Sequence, residues 1–111
     1  MKIAVALFND NVSPRLDIAD SIMLYHVSRG RVIKKEKCAL QCELPDRVAA
    51  FMKQVESPTI LCGGCPGYFT RILETTGFEV VCGQCGRPDN IVANFIAREN
   101  PGMDNTSTAG G

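Results

Sequence analysis

Six cysteines are the residues of this sequence best suited to chemistry, and four of them form two matching pairs. Cys62-Gly63-Gly64-Cys65 and Cys82-Gly83-Gln84-Cys85 are C-x-x-C motifs with sixteen residues between them. Four thiolates at this spacing match a pattern that is typical of metal sites. The glycines of the first motif, Gly63 and Gly64, let the backbone turn sharply, so that both sulfurs can point at one centre. We therefore predict a shared metal or metal-cluster site with Cys62, Cys65, Cys82 and Cys85 as ligands.

Other interpretations of the same cysteines stay open. Cys62 and Cys82 could be small buried residues at strand ends, since free cysteine is often buried, but this leaves Cys65 and Cys85 unexplained. A dithiol oxidoreductase or redox sensor would use Cys62 and Cys65, although it gives no reason for a second pair. A structural zinc site in a domain that binds a protein partner is the third alternative.

The elements that must position these thiols follow from hydrophobic patterning and from the turn residues. We predict strands over 2–8, 21–28, 31–38, 59–62 and 78–82, and helices that begin at Pro45, Pro66 and Pro88. A hairpin followed by alternating strands and helices indicates an α/β domain with a mixed sheet covered by helices. Right-handed crossovers make the first, fourth and fifth strands parallel neighbours.

Each C-x-x-C motif then lies where a strand ends and a helix begins. If the fourth and fifth strands are parallel and adjacent, both motifs open onto the carboxyl edge of the sheet, where open α/β folds place their ligands. Cys65 lies beside a predicted helix N-terminus, whose partial positive charge favours a thiolate.

The remaining cysteines, Cys38 and Cys42, lie where the third strand ends. If that strand runs parallel to the first, both thiols reach the same edge of the sheet, as auxiliary ligands or as a transfer site. An equally good interpretation is two loop cysteines without a function.

The only histidine, His26, is expected to be a hydrogen-bonded sheet residue. The basic hairpin over 29–37 is expected to be solvated, and it could also attract an anionic cluster or an acidic partner.

Composition limits the classes of partner. The 111 residues contain 12 Lys plus Arg and 12 Asp plus Glu, so no net charge favours nucleic acid or an anionic membrane. No apolar run approaches the roughly 20 residues that span a bilayer. We expect a cytoplasmic protein, in which thiols stay reduced and cysteine-rich sequences are more often metal-binding or redox-active. One folded domain over 1–99 and a disordered, glycine-rich tail over 100–111 are predicted.

With these motifs in place, the sequence resembles the dinitrogenase iron–molybdenum cofactor biosynthesis family, which includes cofactor carriers and a molybdenum–copper protein. The resemblance covers residues 1–99. The matching segments are MKIAVAL, NDNVSPRLDIADS, MLYHVSRGRVIKKE, ILCGGCPGYFTRILETTGFEVV and DNIVANFI. Many members of the family lack thiols at the positions of Cys65, Cys82 and Cys85.

The resemblance implies a ribonuclease-H-like, three-layer α/β/α sandwich with a five-stranded mixed sheet whose second strand is antiparallel to the rest. That topology would bring all six cysteines towards one edge. It also implies a function without enzymatic turnover: binding or carrying metal–sulfur clusters for a client metalloprotein or a cluster-assembly protein. Iron–sulfur is the first expectation for the centre, with a molybdenum–copper cluster or zinc as alternatives.

Overall fold

The strands and helices of the computed structural model, which describes residues 1–99, match the predicted order with one addition. The predicted disordered tail over 100–111 lies outside the described residues. The strands are β1 (Lys2–Phe8), β2 (Asn11–Val12), β3 (Ser21–Ser28), β4 (Arg31–Ala39), β5 (Thr59–Leu61) and β6 (Glu79–Val81), and the helices are α1 (Pro45–Val55), α2 (Gly67–Thr75) and α3 (Pro88–Glu99). A short 3-10 helix covers Leu16–Ile18.

The sheet is mixed, with strand order β4-β3-β1-β5-β6 and β2 paired to β1. β1, β5 and β6 are parallel neighbours, as predicted. β3 is antiparallel to both β1 and β4, so β4 runs in the direction of β1. The second long strand is therefore antiparallel to the other long strands. The ribonuclease-H-like description stays a prediction.

The predicted count of five strands is wrong, because the described residues form a six-stranded sheet. The extra strand, β2, lies inside the segment that we expected to be a polar turn. Asn9 and Asp10 adopt positive φ angles of 53° and 69°, the backbone required by a tight two-residue hairpin. The chain thus folds straight back, and Val12 pairs with Leu7. A strand of two residues is too short to show a periodic pattern.

Helices cover both faces of the sheet, which gives three layers. Alternate residues of β1 face opposite sides: Ala4 and Ala6 belong to one buried cluster, Ile3 and Val5 to another. The first core, between the sheet and α1 and α2, also contains Ile22, Leu24, Val48, Met52, Ile60, Cys62, Phe69 and Leu73. The second core, between the sheet and α3, also contains Leu7, Tyr25, Val27, Leu61, Ile91, Val92, Phe95 and Ile96.

β4 forms one edge of the sheet, and the basic stretch over 29–37 is solvated, as predicted. Almost all of β4 is exposed, and charged side chains on such a strand discourage pairing with another chain. His26 Nε2 donates a hydrogen bond of 2.6 Å to Glu36 Oε2, which confirms the expected sheet histidine. On the other face of β3, Tyr25 donates a hydrogen bond of 2.6 Å to Asp89 at the start of α3. Within residues 1–99, no helix is long and apolar enough to cross a membrane.

Candidate metal centre

The parallel pairing of β5 and β6 brings the first cysteines of the two motifs together. Leu61 pairs with Val81, so one further residue along each strand places Cys62 beside Cys82. Both side chains point to the same face because side chains alternate along each strand. The two Sγ atoms lie 3.9 Å apart. Each residue of β5 pairs with the residue of β6 that lies twenty positions later in the sequence. Cys62 and Cys82 are also twenty positions apart, so the pairing makes the two thiols neighbours.

Backbone hydrogen bonds hold the two cysteine turns to one another. The Cys62 N–H donates to the Val81 carbonyl (3.0 Å), and the Gln84 N–H donates to the Cys62 carbonyl (3.0 Å). The Gly83 N–H donates to the Gly63 carbonyl at 2.6 Å, and Gly83 has a φ of 81°, which glycine adopts without strain. These bonds fix the backbone on both sides of the thiol pair.

The segment Ser13–Leu16, which the sequence predicts only as a turn, is hydrogen-bonded to the first motif and acts as a brace for it. The Gly63 N–H donates to the Ser13 carbonyl (2.9 Å), the Gly64 N–H donates to the Pro14 carbonyl (2.7 Å), and the Leu16 N–H donates to the Gly64 carbonyl (2.8 Å). A Cβ atom at Gly63 would lie 2.7 Å from both the Ser13 and the Pro14 carbonyl oxygens. Glycine is therefore required here for close backbone approach, and the Gly63-Gly64 dipeptide was the available signal.

Cys62 is fully buried in the first core. Burial raises the pKa of its thiol well above the ordinary range, and the charges of Cys82 and then Cys65 raise it further. The free thiol is therefore protonated at neutral pH. Binding of a metal by Cys62 would release that proton, since only the thiolate is a ligand.

Cys65 lies close enough to the pair for the three thiols to influence one another's charge. Burial is the largest cause that raises the pKa of its thiol; a hydrogen bond with Thr70 lowers it, and the charges of Cys82 and Asp17 raise it. The expected effect of the N-terminus of α2 on Cys65 stays a prediction. The helix begins at Gly67, two residues after Cys65, and removal from water raises the pKa of the Cys65 thiol.

Cys85 does not join this group, although it occupies the same place in its motif as Cys65. α2 packs on the first core and α3 on the second, so the chain after Cys82 must cross to the other face of the sheet. Along that path the Val12 N–H donates to the Gly86 carbonyl (2.9 Å), and Cys85 is exposed. Across residues 1–99, no three or more His, Cys, Asp or Glu side chains are arranged to hold a metal ion. The structure thus brings the Cys62–Cys82 pair together, with Cys65 near enough for its charge to raise the pKa of Cys62.

Cys38 lies at the carboxyl end of β4, which runs parallel to β1, and Cys42 follows it, so both reach the carboxyl edge as expected. Their convergence with the other four cysteines on one centre stays a prediction. β4 is the edge strand on the opposite side of β1 from β5 and β6. The pKa of the half-buried Cys38 is raised by burial and by the charge of Glu36. Cys42 is only 1% exposed, and its thiol donates to the Leu40 carbonyl (3.4 Å). Burial raises its pKa to about 12.

The distance between the paired sulfurs fits two ligands of one metal ion. A tetrahedral metal with metal–sulfur bonds of about 2.3 Å places two ligand sulfurs about 3.8 Å apart. The Cys62–Cys82 separation is 3.9 Å, much longer than the roughly 2.05 Å of a disulfide bond. Soft thiolate donors suit iron–sulfur clusters, copper(I) and zinc. The donor set therefore fits such a centre.

Known proteins resemble this chain in fold, whereas comparisons by sequence give no match. No protein-family model matches the chain, and no curated protein matches it by sequence. The solved structure of PH0822 is similar over 87% of this chain and 89% of its own, with a TM-score of 0.79 and 21% identity. A candidate dinitrogenase from Methanocaldococcus jannaschii, MJ0327, is similar over 89% and 90%, with a TM-score of 0.73 and 14% identity.

A third solved structure, of a candidate NifB protein from Thermotoga described as a member of the DUF35 family, gives a TM-score of 0.67 at 16% identity. It is similar over 85% of this chain and 85% of its own. The chain therefore shares its fold with proteins described as nitrogenase-related.

Proposed function

We propose that this protein binds a metal–sulfur centre at the carboxyl edge of its sheet and delivers it to another protein, without enzymatic turnover. The observation that carries the proposal is the 3.9 Å separation of Cys62 Sγ and Cys82 Sγ. Two sulfurs at this separation can bind one metal ion without rearrangement of the strands that hold them. The third thiol, Cys65, precedes the first residue of α2 by two positions, and its charge raises the pKa of Cys62.

The proposed ligands are Cys62, Cys65 and Cys82, with Cys85 as the fourth. Cys85 lies in a turn between Gly83 and Gly86, which have positive φ angles of 81° and 100°. A Cβ atom at either glycine would meet nothing within 4 Å, so open space surrounds this turn. Rearrangement between Gln84 and Gly86, with loss of the Val12–Gly86 hydrogen bond, would bring Cys85 towards the pair and complete a four-thiolate shell.

An iron–sulfur cluster is the proposed centre, and a molybdenum–copper cluster or zinc are the other outcomes that thiolate ligands allow. The structural neighbours described as a candidate dinitrogenase and a candidate NifB protein support a role in metallocofactor assembly. The residues support the same role through their accessibility: Cys82 and Cys85 are exposed. A client metalloprotein or a cluster-assembly protein could therefore reach the centre directly.

Metal content and the visible spectrum of protein purified without oxygen test the proposal. An iron–sulfur or molybdenum–copper centre gives visible absorption and a stoichiometric metal, whereas zinc gives metal without colour. The matched comparison is Cys82→Ser, which removes a proposed ligand, with Cys38→Ser, which removes a half-buried thiol on the opposite edge strand. Loss of metal in the first variant alone supports the proposal. Wild-type protein without stoichiometric metal after reconstitution with iron and sulfide, or with zinc, would overturn it.

A further inference from the structure

The two thiols that could form a disulfide belong to different motifs. Cys62 and Cys82 end neighbouring parallel strands, which lie about 4.8 Å apart. This spacing is within the Cα separations of about 4.4–6.8 Å found in disulfides. Their Sγ atoms are already 3.9 Å apart. A dithiol enzyme with a C-x-x-C motif would instead oxidise Cys62 with Cys65.

The members of this pair differ sharply in accessibility. Cys82 is exposed, whereas Cys62 has 0% of its surface exposed and packs in the first core. A small oxidant can therefore reach the first thiol and not the second. The backbone hydrogen bonds between the turns, from Cys62 to Val81 and from Gln84 to Cys62, keep the buried thiol beside the exposed one.

We propose that Cys82 and Cys62 form a redox-active dithiol whose substrate is a small-molecule disulfide of the glutathione class. Cys82 is the entry thiol that the substrate reaches, and Cys62 is the resolving thiol that closes the bond. This inference goes beyond the proposed function, because it needs no metal. It also differs from a redox role for a single C-x-x-C motif.

The reaction has two balanced steps. The Cys82 thiolate attacks one sulfur of glutathione disulfide; the sulfur–sulfur bond of the substrate breaks, one glutathione leaves, and a mixed disulfide forms at Cys82. The Cys62 thiol then attacks Cys82 Sγ; the bond between Cys82 and the glutathione sulfur breaks, and the Cys62 proton passes to the departing sulfur, so the second glutathione leaves as a thiol. Two protein thiols are oxidised by two electrons, and one small disulfide is reduced to two thiols.

Peptide mapping of the full chain tests which sulfurs join. Reduced protein, freed of metal with a chelator, is treated with glutathione disulfide, quenched in acid and digested with trypsin. Arg71 lies between the motifs, so a bond between Cys62 and Cys82 links two tryptic peptides, whereas a bond within one motif links none. We expect the linked peptides in the wild type and in the double variant Cys65→Ser/Cys85→Ser.

Two single variants test the assigned order. Cys62→Ala should accumulate the mixed disulfide at Cys82, because the resolving thiol is gone. Cys82→Ser should leave Cys62 unmodified, because the buried thiol is not reached. If Cys62→Ala does not fold, the double variant still decides, since both residues of the pair remain native in it. A disulfide within either motif, or a double variant that stays reduced under conditions that fully oxidise the wild type, would overturn the proposal.

Discussion

Cys62 Sγ lies 3.9 Å from Cys82 Sγ, and this contact joins the first residues of two separate C-x-x-C motifs. Its origin is the parallel register of β5 and β6, which continues from Leu61 and Val81 by one residue. The second cysteines of the motifs, Cys65 and Cys85, are not positioned by this strand pairing, because the chain has left the sheet before it reaches them. The chemistry of this edge is therefore built across the strands and not within one motif.

Ligand variants should follow this geometry. Cys82→Ser should remove most of the bound metal, because it removes one member of the preformed pair. Cys85→Ser should weaken binding less, since Cys85 is exposed and is not among the groups whose charge raises the pKa of Cys62 or Cys65. The measurement is metal stoichiometry after equilibration with a competing chelator at several concentrations. Equal losses in the two variants would show that all four ligands bind as one preformed shell.

Gly63→Ala should destabilise the protein and its metal site together. The new Cβ atom would meet two backbone carbonyl oxygens at 2.7 Å, and such overpacking costs about 1–3 kcal/mol. Gly67→Ala is the matched control, because a Cβ atom there meets nothing within 4 Å, and Ala in place of Gly should stabilise by about 0.4–1 kcal/mol. Urea unfolding of the metal-free proteins measures the change in the free energy of unfolding for both variants. A Gly63→Ala protein as stable as the wild type would mean that the Ser13–Leu16 brace can move away without cost.

The order of the long strands and of the helices was predictable because the signals are local. β1 is an apolar run with both faces buried, and each helix starts at or next to a proline, as at Pro45 and Pro88. β2 was not predicted because a strand of two residues is too short to show the alternation of apolar and polar residues that identifies a strand. Its existence depends on the left-handed backbone of Asn9 and Asp10, which any polar turn could contain.

The candidate site was only half predictable, since equal spacing in a sequence does not give equal positions in space. α2 connects two parallel strands, β5 and β6, and the right-handed crossover determines on which face of the sheet this helix packs. Within the described residues α3 is followed by no strand, so it is free to cover the apolar face formed by Ile3 and Val5. That packing draws the chain after Cys82 away from the first core. No local pattern around Cys85 contains this information.

The stability of reduced, metal-free protein should fall at high pH partly because of Cys42. Burial raises the pKa of its thiol from 9.0 to about 12 in the folded state. The unfolded chain then loses the proton first, so the stabilisation is complete below pH 9 and is lost as pH rises towards 12. At pH 10, about one unit above the unfolded value, the loss is about 1.4 kcal/mol.

Cys42→Ala isolates this contribution, since every other titrating group is retained. Urea unfolding at pH 7.5 and at pH 10 should show a smaller decrease for the variant than for the wild type, by about 1.4 kcal/mol. The absolute stability of the variant will be lower at both values because a buried side chain is shortened. Only the difference between the two pH values is diagnostic. The same decrease in both proteins would show that Cys42 ionises in the native state as it does in the unfolded chain.

Removal of the metal should leave the protein folded, which separates a carrier from a structural zinc domain. In a small zinc domain the energy of metal binding is the energy of folding, so chelation unfolds the chain. Here two apolar cores lie between the sheet and its helices, and of the four proposed ligands only Cys62 is a buried member of either core. As a thiol, Cys62 packs there like a small apolar residue. The binding energy is thus not needed to hold the helices on the sheet.

Reduced, chelated protein should therefore keep its far-ultraviolet circular dichroism and a cooperative thermal transition. Hydrogen exchange should change on metal removal only near residues 13–16, 62–66 and 82–88, where backbone hydrogen bonds join the cysteine turns to their brace. Residues 38–42 should not respond, because β3 and β1 separate β4 from β5 and β6 in the sheet. A random-coil spectrum after chelation would instead assign the metal a structural role, since a centre that holds the fold together cannot be given up to a client without unfolding its carrier.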